Sequence, residues 1–215
     1  MRRSQRASHR APGIARRKRL ISAARALLAH RDLDEISLAD VARAARIPKG
    51  SAYHYYDDIL DLYVQLIGVF GEEMLEDVRR PLKGRSPSSW VEIVAALVRR
   101  GADYFNDHRA ARQLLISPKT PPELKLKDRQ SDKRIAKLFE EQIEERFVLP
   151  RSADRTATFF RAVEIADLMF SLSMLEHGSI TPQMIEEAIR GVTGYLRAHL
   201  PASLPRRTSA GRRGA

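Results

Sequence analysis

The residues best suited to chemistry in this chain lie between Ser37 and Tyr56, in the run Ser-Leu-Ala-Asp-Val-Ala-Arg-Ala-Ala-Arg-Ile-Pro-Lys-Gly-Ser-Ala-Tyr-His-Tyr-Tyr. Lys49 and Tyr53 stand four apart, so on a helix they share one face, and Ala52 and Tyr56 share another. An ammonium group and phenolic hydroxyls are donors matched to phosphate oxygens, and such contacts set register on a duplex without reading bases. Lys49 supplies the charge, which also suits a guanine edge, and Ser37, Tyr53 and Tyr55 supply hydroxyls. Gly50 lets the backbone come close, while Ser51 and His54 are placed for base-edge contact in a major groove. Ala52 and Tyr56 are expected to pack onto Val41 and Ala42, leaving the other edge free.

Three short elements must hold that edge. Leu20, Ala24, Leu27 and Leu28 form one apolar stripe in a helix predicted from about Ile14 to His30. Ser37, three residues before Asp40, reads as the N-cap of a second helix carrying Leu38, Val41 and Ala42. Arg46 and Ile47 make a tight turn, and Pro48 opens a third helix because it has no amide hydrogen to leave unpaired there. A capped helix, a tight turn and a donor-rich second helix are the parts of a helix-turn-helix.

The remainder also reads as helices. One runs from Asp58 to about Arg79 and is ended by Pro81, and Ser89 with Glu92 caps another from Trp90 to about Asn106. A shorter helix lies near Ala110–Ile116, ahead of a break containing Pro118, Pro121 and Pro122, and an amphipathic one spans Ile135 to Phe147. Between Phe159 and Leu175 apolar residues occur on nearly every side, and Thr181-Pro182 starts a last helix that Pro201 stops. Wide apolar faces on the last two helices predict either a twofold homodimer interface or burial within one subunit. The expected fold is all-α, about nine helices. The expected divisions are a disordered basic arm (1–13), a DNA-binding head (14–63, with the linking helix 58–79), an effector-binding and dimerisation body (75–200) and a disordered basic tail (201–215).

Charge and composition narrow the function classes. The net charge of +11 sits at the ends: the first 19 residues carry eight basic side chains and no acid, and the last 15 carry four and no acid. Such arms favour a polyanion such as nucleic acid, against the alternatives of a solubilising tail or an organellar targeting segment. Cysteine is absent, and the six histidines include no pair at the i, i+4 spacing of metal ligands, so no metal site and no cofactor is expected. No apolar run reaches the length of a membrane span. There is no nucleophile elbow, phosphate-binding glycine loop or other catalytic signature, so an enzyme is not expected.

Residues 20 to 63 resemble the DNA-binding domain of the TetR family of bacterial regulators. The likeness rests on the Ser37 cap, the Val41-Ala42 pair, and Lys49, Gly50, Ser51, Ala52, Tyr53 and Tyr56. Three positions depart from the family pattern: Asp32 and Arg46 stand where glycines are usual, and Ile59 where a lysine usually donates to phosphate. The resemblance implies a cytoplasmic, nucleoid-associated homodimer that binds operator DNA and is released as a repressor by a small-molecule effector. A ligand-independent architectural or cell-cycle DNA-binding protein on the same fold is the alternative. Polar or aromatic residues on apolar stretches are the candidate effector contacts: Trp90, Tyr104, His108, Glu164 and Asp167.

Overall fold

The computed structural model describes residues 3–82 and 86–207, with side chains from residue 13 onward. Among them are nine α-helices: α1 (Arg3–Leu28), α2 (Leu38–Ala44), α3 (Lys49–Tyr55), α4 (Ile59–Arg79), α5 (Trp90–Asp107), α6 (Arg109–Leu115), α7 (Pro122–Glu144), α8 (Arg155–His177) and α9 (Pro182–Arg197). A short 3-10 turn, Leu33–Glu35, links α1 to α2.

The predicted caps at Ser37, Ser89 and Thr181 start their helices, and Asp58, expected only as a helix start, caps α4 in the same way. Oxygens of Ser37, Asp58, Ser89 and Thr181 each accept a backbone N–H from the first turn of α2, α4, α5 and α9. In the head, Leu20, Ala24 and Leu28 of α1 bury their apolar stripe with Val41, Ala42, Ala52 and Tyr56. The same core takes in Leu62, Tyr63 and Leu66 of α4, which then continues into the body. There α4 packs on α7, and α8 lies against both α7 and α9.

The two ends differ from expectation. The backbone of residues 3–13 continues α1 as helix rather than forming an irregular arm; Ala, Arg and Gln, good helix formers, fill much of that stretch. The tail is also partly structured. Leu204 is buried, Arg206 stacks on the Phe147 ring at 5.5 Å, and a β-bridge joins Phe147 to Arg206. The chain therefore packs on the body through Arg207, and residues 208–215 lie outside the described part. A third difference lies in α7, which starts at Pro122, thirteen residues before its predicted apolar stripe. Pro122 occupies the first helical turn, where proline leaves no amide unpaired.

Candidate nucleic-acid interface and effector cavity

The recognition edge faces outward. Lys49, Gly50, Tyr53 and His54 are exposed, Ser51 is half-buried, and Ala52 and Tyr56 are buried behind them. Tyr56 is fixed by a hydrogen bond from its hydroxyl to Gln65 Oε1 (3.0 Å), and burial raises its phenolic pKa. Tyr53 keeps 44% of its surface exposed, with Lys49 Nζ 5.7 Å from its ring centroid, so ammonium and phenol form one donor pair.

Two predicted contacts carry other duties. The Ser37 hydroxyl donates to the Asp40 carboxylate (2.5 Å) and accepts Asp40 N–H (3.2 Å), so its hydrogen is engaged within the α2 cap. The hydrogen bonds from Ser37 hold the Asp40 carboxyl below its ordinary pKa. Tyr55 turns toward α1, with its hydroxyl beside Gly13 and its ring under Arg17 at 5.5 Å. It braces α3 against α1 at the margin of the open edge.

The departures from the glycine pattern resolve differently. Arg46 adopts φ of 53°, the left-handed region in which an L side chain crowds its own carbonyl. Arg19, one of the basic residues near the amino end, donates to the Ala45 carbonyl (2.5 Å) and the Arg46 carbonyl (3.2 Å), pinning this turn to α1. Asp32 needs no glycine-like conformation: its φ is −74°, and its carboxylate pairs with Arg109 (2.8 Å) and Lys119 (3.2 Å). Ile59 is half-buried against the core, an apolar group where a phosphate donor would have to reach outward.

Head and body meet through polar clamps that the sequence does not announce. Gln113 on α6 donates to the carbonyls of Leu28 (2.7 Å) and Arg31 (2.8 Å) and accepts Leu33 N–H (2.9 Å). Arg25 on α1 forms a two-pronged ion pair with Glu73 on α4, and Tyr104 on α5 donates to the same carboxylate at 3.2 Å.

Inside the body, α4, α5, α7 and α8 line a partly open cavity of about 40 Å³. Its walls are mainly apolar, including Met74, Val78, Phe105, Phe139 and Phe170, with Asp128, Ser131, Asp132 and Asp167 on one side. A cleft of about 200 Å³ adjoins it and shares Leu115, Asp128, Asp132 and Asp167. Burial, reinforced by repulsion from Asp167 at Asp128 and Asp132 and from Glu164 at Asp167, raises the pKa of all three aspartates well above the ordinary carboxyl range, against the opposing charge of Lys125.

Of the five candidate effector contacts, Asp167 lines this cavity and Glu164 borders the cleft, paired with Arg129 at 3.2 Å. The other three lie elsewhere. Trp90 is fully buried and its indole N–H donates to the Pro201 carbonyl (3.0 Å), tying the start of α5 to the end of α9. Tyr104 belongs to the Glu73 clamp, and burial beside that carboxylate raises its pKa. His108 stacks on Tyr104 at 4.4 Å with Nδ1 2.8 Å from its carbonyl oxygen, closing the α5–α6 corner. Asp128 and Asp132 escaped the sequence reading because they sit in the charge-rich run 125–134, which looks like solvated surface. Their spacing to Ile135 and Phe139 gives the signal: 128, 132, 135 and 139 share one helical face.

Two family profiles together match most of the sequence. "Bacterial regulatory proteins, tetR family" aligns with residues 20–66, and "Tetracyclin repressor-like, C-terminal domain" with residues 88–200. The chain belongs to the TetR family. This TetR protein is thus a transcriptional regulator with a DNA-binding helix-turn-helix. Its fold is shared with a TetR-family regulator from Streptomyces coelicolor (21% identity, TM-score 0.65, 85% of this chain and 98% of the other). A TetR regulator from Rhodococcus sp. RHA1 is similar at 15% identity and TM-score 0.64, over 85% and 96% of the two chains. So is Thermus thermophilus FadR, a repressor solved with lauroyl-CoA (21% identity, TM-score 0.62, 89% and 99%). No curated protein sequence matches. Among the described residues no helix is long and apolar enough to cross a membrane.

Proposed function

We propose that this TetR protein is a homodimeric repressor that binds specific operator DNA and is released when a small molecule enters the cavity between α4, α5, α7 and α8. The observation that carries the DNA reading is the outward edge of Lys49, Ser51, Tyr53 and His54, backed by buried Ala52 and Tyr56. Lys49 and Tyr53 hold phosphate, and Ser51 and His54 read base edges in the major groove. Arg17 and Arg19 hold α1 to Tyr55 and to the α2–α3 turn, while the basic residues before Gly13 follow the DNA backbone.

Pairing rests on α8, where Leu168, Leu172 and Leu175 stand 56%, 36% and 67% exposed at helical spacing. Twofold packing of α8 and α9 covers this stripe and sets two reading heads side by side. Effector control rests on α4, which lines the cavity with Gly71, Met74 and Val78 and supplies Leu62, Tyr63 and Leu66 to the head core. A ligand that fits one placement of α4 better than another changes the separation of the heads. The partly apolar cavity of about 40 Å³ and its adjoining cleft of about 200 Å³ support this reading over a ligand-independent architectural protein, which needs no such space.

The test is selection of bound fragments from random DNA at near-physiological salt, followed by affinity against salt for the wild type and Lys49→Ala. A palindromic consensus is expected, with the salt slope of the variant lower by about 0.9 for each lost phosphate contact. Deleting residues 2–13 flattens the slope in the same way. Recovery of unselected sequence overturns the reading.

A further inference from the structure

The cavity carries a chemical preference. Asp128 and Asp132 are each 6% exposed, and Asp167 is half-buried beside them. Among the described residues none of the three side chains has a hydrogen-bond or ion-pair partner, and all three line both the small cavity and the adjoining cleft. Lys125 and Arg129 face them and partly offset their charge, but neither pairs with them directly. Lys125 Nζ donates to the Leu115 carbonyl (2.5 Å), Arg129 is held by Glu164, and Glu164 itself adds negative potential. The walls contributed by α4 and α5 are uncharged. Buried carboxyls without a direct ion-pair partner are costly to ionise and are ordinarily paired.

We propose that the cavity binds an organic cation, a protonated amine or related group on a compact apolar body, with its charge seated among Asp128, Asp132 and Asp167. The cationic centre sits at the neck where all three carboxyls converge, with the bulk of the apolar body in the cleft of about 200 Å³ beside Leu115 and Leu168, and the space of about 40 Å³ next to Met74, Phe139 and Phe170 takes no more than a small group. A cation there supplies the direct ion pair that Lys125 and Arg129 do not make. An anionic ligand of the same shape adds a further like charge, and a neutral one leaves the carboxylates as they were. Because the empty site favours protonated carboxyls, binding of a cation expels protons to solvent. This inference rests on the cavity being the effector site.

A matched series tests it: 4-phenylbutylamine, 4-phenylbutanol and 4-phenylbutyrate share one apolar body and differ in head charge. Binding is measured by calorimetry at pH 7 in two buffers of different ionisation enthalpy, on the full chain and on Asp132→Asn and Asp128→Asn. The expected result is that the amine binds at least tenfold more tightly than the alcohol or the carboxylate, with net proton release. Either Asn variant, which keeps the side-chain shape, weakens the amine at least tenfold and leaves the alcohol unchanged. Equal or tighter binding of the alcohol or carboxylate overturns the inference, as does no detectable binding of the amine at millimolar concentration. A separate titration of the DNA complex distinguishes the two levels: an amine that binds by this pattern without changing DNA affinity leaves the cation site standing and removes effector control.

Discussion

Replacing Gln113 by alanine removes three hydrogen bonds at one stroke. Its amide donates to the last carbonyl of α1, at Leu28, and to that of Arg31, and its oxygen holds the Leu33 amide. At a net value of about 1 kcal/mol per bond, the loss comes to roughly 3 kcal/mol. For a domain of this size each kcal/mol moves Tm by about 2–4 °C, so a drop of roughly 6–12 °C is expected in thermal denaturation followed by circular dichroism. The Gln113→Glu variant is a sharper probe. It keeps the acceptor for Leu33 but sets an ionised carboxylate against two carbonyl oxygens, so at pH 7 it falls below the alanine variant. Hydrogen exchange at the Leu33 amide localises the effect, accelerating in Gln113→Ala and staying slow in Gln113→Glu. A Tm change under about 2 °C, with Leu33 protection intact in the alanine variant, would refute the idea that this side chain fastens head to body.

Arg46→Gly relieves a left-handed residue that costs about 1–2 kcal/mol, partly offset by the freedom glycine gains when unfolded, for a net gain of roughly 0.5–1 kcal/mol. Arg46→Ala keeps the strain, so urea denaturation should separate the two; equal stabilities would sink the argument. A Cβ on Gly71 meets Ser131 Oγ and, at 2.9 Å, Ser131 Cβ, so Gly71→Ala should cost about 1–3 kcal/mol, and adding Ser131→Gly should restore most of it. Failure of that rescue would place the crowding elsewhere. Stability of the ligand-free protein should fall as pH rises from about 4, the unfolded carboxyl value, because the folded state holds its protons at Asp128, Asp132 and Asp167 to higher pH. Asp132→Asn should therefore stabilise more at pH 7 than at pH 5, by up to about 3 kcal/mol more; an equal gain at both would show that the carboxyl is already ionised.

The head was legible in the sequence because its signals are local. Ser37, Pro48 and the Leu20–Ala24–Leu28 stripe each act within a few residues of where they sit, and Lys49 and Tyr53 are exposed because Ala52 and Tyr56 are the buried face of a two-turn helix. The cavity was not legible for the opposite reason. Its carboxylates come from two helices about forty positions apart, and Asp128 and Asp132 are surrounded in sequence by Lys125, Lys127, Arg129 and Lys133. Only the packing of α4 and α8 on α7 turns that charged segment inward. Aromatic rarity misled in the same way: Trp90 and Tyr104 looked like ligand contacts, yet each uses its polar atom to satisfy a neighbouring element. Gln113 gave no signal at all, since its partners are main-chain groups some eighty residues earlier.

The tight crossing of Gly71 over Ser131 makes α4 a lever with its fulcrum close to the middle. From Gly71 the arm to Ile59 is twelve residues, about 18 Å, and the arm to Val78 is seven, about 10 Å. An outward push of 1 Å on the short arm, where Val78 borders the cavity, swings the long arm by roughly 1.7 Å the other way. Doubled across a twofold pair, that becomes about 3 Å between two reading helices that must match a repeat of about 34 Å. Under the proposed effector control, a displacement of about 1 Å at the cavity wall is therefore enough to put both heads of a twofold pair out of step with the groove.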